Sequence, residues 1–312
     1  MAPVMPRHGL LTVGLRLFGW LKRPRMRMSD RPDFVRRLAA MPTSNSLESL
    51  QHDTGVLLVG HGSREQVGRD EFLATVRLVT RSADRMAGEA CFLEFAGPSI
   101  GEGFKALVER PPAGRRVRRV VVVPVLLFSA GHAQRDIPAA VRAAAGDYPE
   151  IVVVQADHLG CHAELLALSK LRYDEALARA APAPAEDTAL VMVGRGSPDS
   201  EATAEMLRFA QLRWQQTPVA QMATGFVAMA EPKLEDVLDQ AAEWGARRVV
   251  VQPHLLFGGV LLDRIRDVVA RRAERHPRIE WLLSEHLGPA PHVARAIFAR
   301  AAVALGSAAI EK

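Results

Sequence analysis

The chain has 312 residues, 48% of them hydrophobic and 24% charged, with a mean hydropathy near zero. That is the balance of a globular protein long enough for two domains, and it excludes a disordered tail protein or a fibre. The formal charge of +5 is local: Arg7, Arg16, Lys22, Arg23, Arg25 and Arg27 precede the first acidic residue, Asp30, and without those six the remainder sits near −1. The body therefore lacks the general basic field that nucleic-acid binding needs. Cys91 and Cys161 are the two cysteines, and neither belongs to a Cys-x-x-Cys pair. This excludes a disulfide framework or a four-cysteine metal site within the chain and fits a reducing cytoplasm.

In chain order, the first 50 residues form a basic extension. Its apolar stretch, Gly9 to Leu21, is interrupted by Arg16 and falls short of the roughly 20 residues a bilayer requires. No signal-peptide cleavage pattern follows promptly, so a poorly ordered arm without stable membrane insertion is expected. Arg7-His8-Gly9 imitates a histidine-phosphatase motif, but too little chain precedes it to supply the strand that such a motif follows.

From residue 51 the sequence repeats itself. Thr54-Gly-Val-Leu-Leu-Val-Gly-His-Gly-Ser63 matches Thr188-Ala-Leu-Val-Met-Val-Gly-Arg-Gly-Ser197 at an offset of 134. Arg118 to Phe128 matches Arg247 to Phe257 at 129, and His158-Leu-Gly160 matches His286-Leu-Gly288 at 128. A slowly drifting offset with preserved order indicates a duplicated domain with short loop deletions. Within the first copy, apolar runs at Val56–Val59, Val120–Val123 and Ile151–Val154 alternate with a helical pattern such as Phe72, Val76, Val79 and Ala83. Such alternation predicts βαβ units around a parallel sheet covered on both faces. Ala181-Pro-Ala-Pro-Ala-Glu-Asp187 is a linker, because its prolines continue neither helix nor central strand. The expected organisation is an α/β domain at 51–181 and a second at 187–306.

In an open parallel sheet the ligand crevice lies at the carboxyl ends of the strands. After the first strand comes Gly60-His61-Gly62-Ser63, where the glycines allow a tight turn and Ser63 with Gln66 is expected to form a capping box. After the strand ending near Phe128 comes Ser129-Ala-Gly-His132-Ala-Gln-Arg-Asp136-Ile-Pro138, which puts a second histidine on the same edge although 71 positions separate the two. His61 aligns with Arg195 and His132 with Leu261. Histidines needed only to build the fold would recur in the second copy, so these two point to function. His158 and His286 do recur and read as structural, whereas His52, His254, His276 and His292 follow no pattern. Imidazole suits divalent iron, cobalt, nickel and zinc, and neutral imidazole accepts protons near neutral pH. Glu94 closes the Cys91-Phe-Leu-Glu94 stretch and faces Ala228 in the alignment. It is a candidate third participant, as metal ligand or proton relay, against the alternative of a solvated strand edge.

At these residues the chain resembles the sirohydrochlorin cobaltochelatase family, the CbiX-type class II chelatases in their long tandem form. The resemblance rests on Gly60-His-Gly-Ser-Arg64, Phe92-Leu-Glu-Phe-Ala96 followed by Pro98-Ser99, Pro124 with Leu126-Leu-Phe128, and Gly131-His-x-x-x-Asp-Ile-Pro138; it spans about 51 to 306. It implies two tandem flavodoxin-like domains facing each other across a cleft. It also implies insertion of a divalent metal, cobalt first, into sirohydrochlorin or a related tetrapyrrole in cobalamin biosynthesis, with no cofactor beyond the metal substrate. His61 and His132 would bind metal and accept protons, with Glu94 assisting. The substrate's many carboxylates make Ser63, Arg64, Arg135 and Arg195 candidate contacts, since guanidinium forks hold carboxylates bidentately. A metal-delivery or downstream biosynthetic protein is a candidate partner.

The chain also departs from the family. Gly97 stands where the family usually has glutamate, a place Glu231 keeps in the second copy, and the histidine-rich tract and cysteine cluster of some members are absent. The rivals are a ferrochelatase making sirohaem, a nickel-inserting relative, and a non-catalytic metal or tetrapyrrole carrier. A serine hydrolase reading of Gly60-His-Gly-Ser63 fails because that turn lacks the Gly-x-Ser-x-Gly elbow, and a nucleotide binder would need a Walker or Gly-x-Gly-x-x-Gly loop, which follows neither first strand.

Overall fold

The first copy builds a four-stranded parallel sheet from β1 (Thr54–Gly60), β2 (Ala87–Phe92), β3 (Arg119–Pro124) and β4 (Val152–Gln155) in the order β2-β1-β3-β4. The helices α1 (Gln66–Ser82), α2 (Ile100–Glu109), α3 (Gly131–Ala145) and α4 (Ala163–Ala178) follow the strands in turn. The second copy repeats the plan with β5 (Thr188–Gly194), α5 (Ser200–Gln215), β6 (Gln221–Phe226), α6 (Leu234–Ala242), β7 (Arg248–Pro253), α7 (Val260–Arg275), β8 (Glu280–Leu283) and α8 (Pro291–Ile310), in the order β6-β5-β7-β8. The computed structural model describes residues 53–82, 87–111, 116–128 and 131–310. The arm at 1–50, including Arg7-His8-Gly9, lies outside them, as do His52, Ala83 and Ser129.

Strand burial follows position. β1 and β5 are central and buried at every residue, as the unbroken Val/Leu runs require of strands covered on both faces. β2 and β6 lie at sheet edges and carry small residues, so no β-branched run announces them. Period-two alternation then sorts each central strand onto two cores. Leu57, Val59, Val120 and Val122 point to an outer core with Ile100, Phe104, Leu107, Ile137 and Val141. The second sheet has an equivalent outer core, in which Val191, Val193, Val249 and Val251 meet Leu234, Val237, Leu262 and Ile265. Val56, Leu58, Val121 and Val123 instead face a core shared with Leu190, Met192, Phe209 and Val250 of the second copy.

That shared core is built by exchange of the last helix of each copy. α4 packs on β7, β8 and α5 of the second copy, while α8 packs on β3, β4 and α1 of the first. Val293, Ile297, Phe298 and Leu305 are the buried anchors of α8, each worth roughly 1.5–3 kcal/mol of apolar burial. Polar bonds fix the exchange. Arg172 on α4 donates to the carbonyls of His286 and Leu287, Gln252 on β7 donates to the Ser169 carbonyl, and Arg300 on α8 donates to the Leu159 carbonyl. Arg213 on α5 is fully buried and reaches Ser169 Oγ at 2.8 Å and Thr217 Oγ1 at 2.6 Å. Burial pulls its pKa down to about 10, so it stays cationic. The linker is tied down as well, since Arg248 donates to the Ala181 carbonyl while pairing with Glu280.

The two repeated histidines join this interface. His158 Nε2 lies 2.8 Å from both carboxylate oxygens of Glu205 on α5, and His286 Nε2 lies 2.9 Å from Glu71 on α1. Glu71 and Glu205 are themselves related by the offset of 134. The pairs are therefore equivalent and each crosses between copies, which agrees with the structural role expected for these histidines. No helix among the described residues is long and apolar enough to cross a membrane.

Candidate functional site

In the order β2-β1-β3-β4 the chain leaves β1 toward one edge and returns to place β3 on the other side. The carboxyl ends of β1 and β3 thus flank the point where strand order reverses, the usual ligand crevice of an open α/β sheet. His61 directly follows β1, and His132 is the second residue of α3 on the connection from β3. Adjacent parallel pairing of Val59 with Pro124 brings the two exits side by side. The backbone places His132 on this edge, as its spacing predicts.

Glu94 enters from the exit of β2. Leu93 N–H donates to Gly60 O and Glu94 N–H to His61 O, both at 2.9 Å, so the turns after β1 and β2 run together. Gly62 makes this contact possible: its φ is +93°, and a Cβ there would sit 1.7 Å from the Glu94 carbonyl oxygen. The Glu94 side chain is half-buried beside the half-buried His61. The backbone bond places the two residues side by side at the strand exits.

Ser63 accepts the Glu65 N–H at 3.0 Å, while the Gln66 amide is engaged by Asp70 and Arg69. The expected Ser63–Gln66 capping box is therefore not formed; the hydroxyl closes a shorter turn one residue earlier. A full capping box occurs instead at Ser99 and Glu102, where α2 begins. Hydrogen bonding to Ser99 holds the Glu102 carboxyl below the usual carboxylate range.

The four candidate substrate contacts are dispersed. Arg64 lies over the Phe95 ring, 5.0 Å from its centroid, and so belongs to the His61 corner. Arg135 is exposed on α3, one turn beyond His132, with its guanidinium near Gly131. Arg195 is exposed at the exit of β5 on the other sheet, where Ser197 repeats the Ser63 turn by accepting the Asp199 N–H at 3.1 Å. Gly97 faces open space, and Glu231, its equivalent, pairs with Lys233 at 3.0 Å. The peptide bonds Gly97–Pro98 and Glu231–Pro232 are both cis.

Sequence spacing missed Phe95. Its φ is 61°, the one positive value among the described non-glycine residues; the residue is 52% exposed, and its ring lies 6.1 Å from the His61 imidazole and 29° from parallel. The left-handed region costs a side-chain-bearing residue roughly 1–2 kcal/mol. Nothing in the alternation of apolar residues signals such a conformation. No cluster of three or more His, Cys, Asp or Glu side chains capable of holding a metal occurs among the described residues.

The CbiX family model matches residues 55–176 and again 189–304. The chain belongs to the CbiX family. A sirohydrochlorin cobaltochelatase of Priestia megaterium is 34% identical over 234 residues, which cover 75% of this chain and 74% of the relative. A sirohydrochlorin ferrochelatase of the same organism is 30% identical over 233 residues, covering 75% and 84%. Among solved structures, SirB from Bacillus subtilis with Fe3+ superposes with a TM-score of 0.72 at 28% identity, covering 82% of this chain and 98% of that one. The CbiX match thus spans both halves, including the second, which lacks His61 and His132 equivalents.

Proposed function

We propose that this CbiX-family chain is a metal chelatase that inserts a divalent ion into sirohydrochlorin or a closely related tetrapyrrole, acting through one site on the first sheet. The observation that carries the proposal is the placement of His61 and His132 on the two strand exits that flank the reversal of strand order. The second copy offers Arg195 and Leu261 at those places. The units of duplication are 51–181 and 187–306, supported by the two family matches, with 1–50 as an extension.

Insertion exchanges two pyrrole N–H protons for one divalent ion, releasing two protons per metal bound. Imidazoles supply both functions required: a borderline ligand that replaces water on iron or cobalt, and a base whose ordinary pKa lies close to neutrality. His61 and His132 hold the incoming ion and take up the pyrrole protons. Glu94, bonded through its backbone to His61, accepts a proton from this corner or completes the ligand set. Arg64 and Arg135, with Ser63, meet substrate carboxylates on the first half, and Arg195 does so from the second. An arginine where the first copy has histidine turns the second half into a wall that holds substrate and takes no metal.

Cobalt is the metal inferred, with cobalamin biosynthesis as the setting, supported by the relative that is 34% identical. Iron, for sirohaem, is the second reading, supported by the ferrochelatase relative and by the SirB structure with Fe3+. The two free cysteines fit a cytoplasmic enzyme. The deciding experiment follows the absorbance of sirohydrochlorin in excess over protein, without oxygen, with cobalt, iron and nickel supplied separately. Multiple turnovers establish the chelatase and rank its metals. A spectral change that stops at one equivalent establishes a carrier instead.

A further inference from the structure

We propose that Phe95 is a substrate-positioning residue, its ring edge bearing on one face of the tetrapyrrole beside the metal axis; the proposal rests on the chelatase reading above. Two properties of Phe95 are unfavourable for the free protein and coincide at one position. A large apolar residue stands 52% exposed, and its backbone holds φ at 61°. Inference runs from such an outlier toward function when surrounding structure enforces it. Here the bonds Leu93 N–H to Gly60 O and Glu94 N–H to His61 O fix the turn. The Arg64 guanidinium, 5.0 Å from the ring centroid, steadies the side chain.

The orientation defines the contact. A metal held by His61 lies in the imidazole plane, because the nitrogen lone pair does. Passing that metal to the centre of a macrocycle requires the imidazole to stand steeply on the macrocycle. The Phe95 ring is only 29° from the imidazole plane and 6.1 Å away. It therefore meets the same macrocycle edge-on, off the metal axis and toward one pyrrole ring. Edge-to-face contact is a favoured arrangement between aromatic systems at centroid separations of about 4.5–7 Å. The equivalent position in the second half carries Met229, also exposed, whose backbone is not in the left-handed region. The constrained aromatic thus accompanies the histidine-bearing half alone.

The test compares wild type with Phe95→Gly, Phe95→Leu and Phe95→Tyr. Glycine adopts φ near 60° without penalty, so Phe95→Gly is expected to melt at or above the wild-type temperature. Its KM for sirohydrochlorin should nevertheless rise about tenfold, a factor equal to ~1.4 kcal/mol, with the KM for cobalt unchanged. Phe95→Tyr should restore the wild-type value and Phe95→Leu should fall between. A sirohydrochlorin KM in Phe95→Gly within about twofold of wild type, or an equal rise in both KM values, would overturn the assignment. Metal-free titration of sirohydrochlorin by absorbance separates this failure from a broader one. A wild type that inserts metal while Phe95→Gly binds substrate equally well removes Phe95 alone. A wild type that neither binds sirohydrochlorin nor inserts metal removes the chelatase reading and this proposal together.

Discussion

His254→Val should flatten the acid dependence of stability. His254 follows β7, and its N–H donates to Val193 O at 2.7 Å, as the equivalent Val125 donates to Val59 O at 2.8 Å. The position therefore accepts valine in the sister copy, where Val125 is also buried. His254 is 1% exposed, its ring centroid lies 3.9 Å from that of Phe209, and neither ring nitrogen has a hydrogen-bond partner among the described residues. Burial, reinforced by the Arg213 cation, pushes its pKa down to about 3. The ordinary histidine value is near 6.5, so between these limits the unfolded chain carries a proton that the folded chain refuses. Stability is then complete above about pH 6.5 and falls on acidification by ~1.36 kcal/mol per pH unit. From about pH 6.5 to about 4.5 the penalty reaches ~2.7 kcal/mol. Urea unfolding of wild type and His254→Val across that range measures it directly. The two stability curves should diverge by that amount in favour of the variant. Parallel curves, within ~0.5 kcal/mol at the acid end, would refute the neutral buried imidazole.

His61→Ala and His132→Ala should each lower metal insertion about 100-fold or more while leaving the circular dichroism spectrum intact; retained turnover in both would remove the site assignment. Gly62→Ala places a Cβ 1.7 Å from the Glu94 carbonyl oxygen at a φ of +93°, and should cost more than ~3 kcal/mol by thermal or urea unfolding. Glu71→Ala should destabilise by about 2–4 kcal/mol and Glu205→Ala by about 1–3, because Glu71 also accepts the Gly258 N–H at 2.7 Å. An equal cost for the two would show that the Gly258 bond adds nothing.

The duplication, the central strands and the edge that carries His61 and His132 were legible because they depend on short-range patterns. A run such as Val120–Val123 specifies a strand covered on both faces, and a residue just after a parallel strand must lie at the ligand edge. Four features were not legible, each for a physical reason. The apolar positions of α4 and α8 declare that these helices are buried but carry no information on which sheet covers them. Ser63 and Gln66 have the spacing of a capping box, yet Asp70 and Arg69 compete for the glutamine amide, and spacing cannot rank such competitors. Phe95 takes its left-handed backbone from contacts between two turns, and Glu71 meets His286 across 215 positions. Neither is encoded in any local window.

The exchanged helices bear on how such a chain can change over time. The strand exits of its two sheets have already drifted apart, with histidine on one and arginine or leucine on the other. α4 and α8 have no such liberty, because each completes the core of the opposite copy. A cut at the linker would leave each fragment holding a helix fitted to its lost partner and a sheet face open to water. Inheritance can therefore rewrite the mouth of either half independently, whereas the last helix of each half must be rewritten in step with the sheet of the other.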